Sequence, residues 1–147
     1  RKPHCRVINN GSDAFRIGDK GKVLGAPIRK GAIVYEGPAI IACVGTIPYY
    51  GFGLRMFPFA EDRPGKMQLR VSTIASVSFV KNLPEIWRGE YEDPEILHDY
   101  FVDEIEIEMD PATNFQIGGD IQGERRRVHA KLAPAIRVVD FYAPPRG

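Results

Sequence analysis

Apolar and polar side chains alternate along much of this chain with a period of two residues. That spacing sets one face of a β-strand on a core and the other in water. The longest run is residues 67–80, with Met67, Leu69, Val71, Thr73, Ala75, Val77 and Phe79 on one side and Gln68, Arg70, Ser72, Ser76 and Ser78 on the other. It predicts one long strand. Residues 104–109 alternate without a break, Ile105, Ile107 and Met109 facing inward while Glu104, Glu106 and Glu108 make a wet face. Val128, Ala130 and Leu132 oppose Arg127, His129 and Lys131 in the same way. Shorter apolar stretches predict strands at 5–8, 14–17, 32–35, 39–44 and 136–141. Asn9-Asn10-Gly11, Gly18-Asp19-Lys20-Gly21 and Gly37-Pro38 punctuate the first of these as turns.

One segment has helical character. Asn82 can cap it, Pro84 is acceptable in a first turn, Ile86 and Trp87 give an apolar side, and Gly89 stops it. The fold class expected is therefore mainly β, a two-sheet antiparallel β-sandwich with one short helix. Residues 1–147 suit a single domain, large enough to bury a core.

Charge narrows the choice of partners. Lys and Arg number 20 against 19 Asp and Glu, a net charge of +1, so no field of one sign draws the chain to nucleic acid or to an anionic membrane. Cys5 and Cys43 have no motif spacing and read as free thiols of a reducing compartment, the cytoplasm. His4, Cys5, Cys43, His98 and His129 lack zinc-ligand spacing. No apolar run is long enough for a spanning helix. The chain begins at Arg1 rather than Met, as expected of a fragment whose natural start lies upstream.

Several short patterns, taken in order, are similar to the C-terminal domain of the diacylglycerol kinase and sphingosine kinase superfamily, including its bacterial lipid kinases. Tyr49-Tyr50-Gly51-Phe52-Gly53-Leu54-Arg55, then Pro58 and Ala60, resembles a Tyr-Tyr-Gly-Gly-Gly-Met segment followed by Pro-Asn-Ala. Gly65-Lys66-Met67-Gln68-Leu69 stands where the family has Asp-Gly-Leu-Leu-Asp and a strand. Leu83-Pro84-Glu85-Ile86-Trp87-Arg88-Gly89 resembles its short helix, and Glu104-Ile105-Glu106-Ile107 its next strand. Gln116-Ile117-Gly118-Gly119-Asp120 lies at its Gln-Val-Asp-Gly-Glu, and Ile136-Arg137-Val138-Val139 at its closing strand. The likeness covers residues 33–142.

The resemblance implies one half of a two-domain lipid kinase. An upstream α/β domain with a Gly-Gly-Asp-Gly-Thr loop would hold ATP and Mg²⁺. The intact protein would phosphorylate a hydroxyl of a lipid such as diacylglycerol, with peripheral contact at the inner membrane face; a homodimer is compatible with it. Phosphate cradling needs glycines that let backbone donors approach. Gly51 and Gly53 open no helix, so the 147 residues alone are not expected to transfer phosphate.

The resemblance also suggests site residues. In the simplest register the family's Asp falls on Gly118 and its Glu on Asp120; a four-residue insertion would bring Gln122-Gly123-Glu124 into place instead. Asp120 and Glu124 are thus the catalytic candidates, because a general base must reach the attacking hydroxyl. Hairpin turn chemistry is the plainer role for Asp120. Asp62 and Asp120 are the metal candidates, although Pro64 occupies the position of a family Asp and solvated loop charge suits Glu61 and Asp62 as well. Tyr50, Phe52 and Arg55 are the substrate-binding candidates. Core filling is the competing expectation for Tyr49, Tyr50, Phe52, Met56, Phe57 and Phe59, with Gly51 and Gly53 marking a bulge or close backbone approach. Arg125, Arg126 and Arg127 suit either anionic headgroups or a solvated edge strand.

Overall fold

The computed structural model describes residues 2–136. In chain order it holds β1 (His4–Asn9), β2 (Ala14–Ile17), a 3₁₀ turn (Asp19–Gly21), β3 (Val23–Ile28), β4 (Ile33–Pro38), β5 (Ile41–Gly45) and β6 (Met67–Ser72). Two helices follow, α1 (Ser76–Lys81) and α2 (Leu83–Arg88), then β7 (Leu97–Val102), β8 (Glu104–Ile117) and β9 (Asp120–Lys131). The strands form two antiparallel sheets, ordered β4-β1-β8-β9 and β3-β2-β7-β6-β5.

The first sheet follows the alternation closely. Cys5 pairs with Met109, Val7 with Ile107 and Asn9 with Ile105, and these six side chains are all buried. Leu69, Val71, Tyr100 and Val102 of the second sheet join them in one apolar cluster, so the sheets share a core. Glu104, Glu106 and Glu108 are half-buried rather than fully wet. Arg127 bridges Glu106 at 3.6 Å and also Glu108, and His129 and Lys131 reach Glu104 at 2.9 and 3.3 Å. The hydrogen bond from His129 is the leading cause holding the Glu104 carboxyl below its ordinary value.

The long strand expected over 67–80 stops at Ser72. Its neighbours give the reason: β5 reaches only the Ile41–Ser72 pair and β7 begins at Leu97, also opposite Ser72. Beyond that point no strand offers a partner, and the Ser72 hydroxyl accepts the Ile74 amide at 3.1 Å, turning the chain away. The remaining residues coil into α1 instead. A second helix is therefore present where one was expected. α2 matches the expected helix, with Pro84 at its start and Gly89 left-handed at its end. Asn82 does not cap it through its side chain; its Nδ2 donates to the Ser78 carbonyl at 2.9 Å and closes α1.

Pairing also moves other boundaries. Gly37 and Pro38 lie within β4, so the break before β5 falls at Ala39 and Ile40. β3, whose Gly25 and Pro27 hide it, and β7 are additional strands. The strand expected at 136–141 lies outside the described residues.

Candidate functional site

All six residues of β6 are buried, on both faces of the strand. Met67, Leu69 and Val71 enter the shared core. Gln68, Arg70 and Ser72 point to the opposite face, which the 46–62 segment and the helix pair cover; Phe57 lies over Gly45, where any Cβ would overlap its ring. A buried charge must be paired to be tolerated. Arg70 is: its Nε and Nη2 each donate to Asp99 at 2.8 Å, across the β6–β7 ladder. Gln68 completes the set, donating to Asp99 Oδ1 at 3.0 Å and accepting the Phe59 amide at 2.8 Å. The network pins the loop before β6 onto the sheet.

Beside this network a cleft of about 200 Å³ opens between Gly18, Asp19, Pro58, Phe59 and the 89–94 loop, with Arg70 and Asp99 in its wall. An apolar cavity of about 30 Å³ adjoins it beneath the helices, lined by Ile41, Met56, Ile74, Phe79 and Ile86. Arg70, Gly89, Tyr91 and Leu97 line both spaces. At the cleft mouth a hydrogen bond with Asp19 raises the Glu92 carboxyl, helped by partial burial and opposed by the Lys20 amide. Both spaces are mostly apolar, with Arg70 and Asp99 supplying charge in the cleft wall.

A second, part-buried node holds the chain just before β6. Lys66 Nζ donates to Ser12 Oγ at 2.8 Å and to the Asp13 carbonyl at 2.7 Å, and pairs with Asp103 at 3.2 Å. Burial alone would raise the Asp103 carboxyl, but hydrogen bonds from Ser12 and Lys66 together with the Lys66 charge hold it below its ordinary value. At the thiols burial prevails, even at Cys43, where the Arg70 charge opposes it. Burial pushes Cys5 and Cys43 up to about 12, and both are free.

The residues singled out by sequence divide between these regions. Tyr50 Oη donates to Gln116 Oε1 at 3.3 Å, tying the 46–56 loop to the β8–β9 hairpin. Arg55 places its side chain outward while its amide donates to the Trp87 carbonyl at 3.0 Å, tying the same loop to α2. Phe52 touches none of this: it is 100% exposed. Of the aromatic segment expected to fill the core, Phe57 is buried and Met56 and Phe59 are half-buried, while Tyr49, Tyr50 and Phe52 face outward. Gly51, Phe52 and Gly53 have φ of 98°, 47° and 78°, a left-handed run that makes a tight turn, not a bulge or close approach.

Asp120 begins β9 directly after Gly118 and Gly119, whose φ of 58° and 93° form the turn without help from a carboxylate. Its side chain makes no hydrogen bond or ion pair among the described residues. Glu124 is not its neighbour in space: Ile117 pairs with Asp120, but Gln116 pairs with Ile121 and Asn114 with Glu124. The extra β9 residue near Gly123 reverses the alternation, so Asp120 and Glu124 lie on opposite faces of the hairpin. Asp62 stands beside Gly21 and the 3₁₀ turn. Among the described residues no three His, Cys, Asp or Glu side chains cluster to hold a metal ion. Arg126 and Arg127 are ion-paired on the edge strand β9, Arg126 with Asp110 at 3.3 Å.

Sequence reasoning alone misses the Arg70–Asp99 pair and the Lys66 node. The available signal is a charged residue inside each of two apolar strands, Arg70 in MQLRVS and Asp99 in LHDYFV. No family model, curated protein or solved structure matches the chain.

Proposed function

We propose that this chain is the substrate-side β domain of a diacylglycerol-kinase-like lipid kinase, whose intact form moves the ATP γ-phosphate to a lipid hydroxyl. The observation that carries the reading is a convergence. The Tyr49–Arg55 segment bonds to Trp87 in one of the other segments that resemble the family and to Gln116 in another. It does so beside a mostly apolar cleft that has Arg70 and Asp99 in its wall. A mostly apolar cleft with a few charged groups in its wall suits the head of an amphiphile, whose hydrocarbon would enter the annex of about 30 Å³ only as α1 and α2 move outward.

The described residues do not by themselves make a Mg²⁺ site, since Asp62 and Asp120 belong to no cluster of three acidic or metal-binding side chains. ATP and its metal would be held by an upstream nucleotide-binding domain. This chain's share is to hold the lipid and to offer the unpartnered carboxylate of Asp120 as proton acceptor for its hydroxyl. Glu124, on the other face of the hairpin, takes no part in that step.

A second reading, lipid binding without transfer, is favoured by Gly118 standing at the position of the family's Asp. Asp120→Asn in the full-length protein separates the two. A loss of ATP-dependent lipid labelling of about a hundredfold or more, with lipid binding retained, supports the catalytic reading. Undiminished labelling in that variant removes Asp120 from the site.

A further inference from the structure

We propose that the face formed by the 46–56 loop and the α1–α2 pair docks onto a lipid bilayer bearing anionic headgroups, with Phe52 inserted. The inference deepens the lipid-substrate reading and rests on it, because it names the surface from which the amphiphile would enter. Loop and helices form one face. Arg55 bonds to Trp87 through the backbone at 3.0 Å, and Met56, Phe79 and Ile86 line one cavity beneath them.

That face is apolar to an unusual degree. Phe52 is 100%, Val77 82%, Val80 69%, Ile47 58%, Tyr49 57% and Trp87 40% exposed, though each would be favoured inside a core. Tyr49, Tyr50 and Trp87 add aromatic rings with polar tips, the side chains that settle at a membrane–water boundary. Phe52 sits at φ 47°, a conformation costly for an aromatic residue, and gains no intramolecular contact in return. The hydrogen bonds Tyr50 N–H to Leu54 O at 2.8 Å and Leu54 N–H to Gly51 O at 2.9 Å hold the loop as a preformed finger.

Charge selects the occupant. Residues 37–60 contain one charged side chain, Arg55, and residues 71–84 contain one, Lys81. Both are cationic and exposed, and neither has an ion-pair partner among the described residues. α2 itself carries Glu85 and Arg88, and Arg88 pairs with Glu90 at 2.7 Å. The 46–56 loop and the helix pair thus carry Arg55, Lys81 and Arg88 against the single acid Glu85, a cationic excess that complements an anionic headgroup layer, and each free cation adds modestly to adsorption. A second copy would bring the same cations face to face, which a bilayer bearing anionic headgroups does not.

Co-sedimentation of the full-length protein with vesicles tests the proposal, using phosphatidylcholine alone and phosphatidylcholine mixed with phosphatidylglycerol. Binding to the mixed vesicles is expected, with partitioning lowered about tenfold or more by Phe52→Asp. Arg55→Gln with Lys81→Gln should remove the preference for mixed vesicles while leaving the thermal midpoint unchanged. No binding to either vesicle, or binding indifferent to Phe52→Asp, overturns it. So does a dimer that Phe52→Asp dissociates, or a Phe52→Cys thiol shielded from labelling in vesicle-free protein. A protein that labels lipid in detergent micelles but ignores vesicles loses this surface and keeps the kinase reading; vesicle binding without labelling does the reverse.

Discussion

Arg70 and Asp99 are 8% and 10% exposed in their side chains and bonded twice to each other. At that depth each charge needs the other. Asp99→Asn or Arg70→Ala should cost about 3–5 kcal/mol, measured by urea unfolding, because each leaves an uncompensated buried partner. Replacing both together with apolar residues of similar size should cost much less. A loss below about 1 kcal/mol in the single variants would show that the pair is solvated. Asp103 supplies a pH test. Its folded-state carboxyl lies below the ordinary value of 3.8, so its contribution to stability is present above that value. It is lost as pH falls through the lower folded value. Asp103→Asn should therefore flatten the acid limb of the stability–pH curve, with little change in its slope near neutrality; an unaltered acid limb would rule out the Lys66–Ser12–Asp103 node as a source of acid sensitivity.

At the scale of elements, β6 is a strand wanted on both faces, and one glycine shows how tightly the outer face is packed. Gly45 lies under the Phe57 ring with no room for a Cβ. Gly45→Val should cost about 1–3 kcal/mol by overpacking, read as a lowered urea midpoint with an unchanged m-value; wild-type stability would mean that the 46–62 segment lifts freely from the sheet. The same strand explains what the sequence made legible. Period-two runs located the inward rows Cys5-Val7 and Ile105-Ile107-Met109 because one face meets the core and the other meets cations or water. They failed at 73–80, where alternation continued but pairing partners did not, and pairing is a property of β5 and β7 rather than of β6 itself. β3 escaped because Gly25 and Pro27 interrupt it. The reversal between Asp120 and Glu124 was hidden for a related reason: one bulged residue, set by the partner strand, decides which face a carboxylate takes.

For the whole molecule, the two sheets share one core, and the helix pair with the 46–62 segment covers the far face of the larger sheet. No helix among the described residues is long and apolar enough to cross a membrane. The cleft and its apolar annex lie between that cover and the sheet, so access for a lipid chain requires α1 and α2 to move outward. Tyr50, Phe52 and Arg55 sit on the cover beside this entrance, and Asp120 stands on the hairpin to which Tyr50 is tied. The most direct measurement incubates the full-length protein with γ-labelled ATP, Mg²⁺ and a diacylglycerol-containing lipid extract, and follows label into the organic phase. The account predicts a labelled, chloroform-soluble phospholipid that depends on ATP and protein; a folded full-length protein that places no label on any lipid would contradict it.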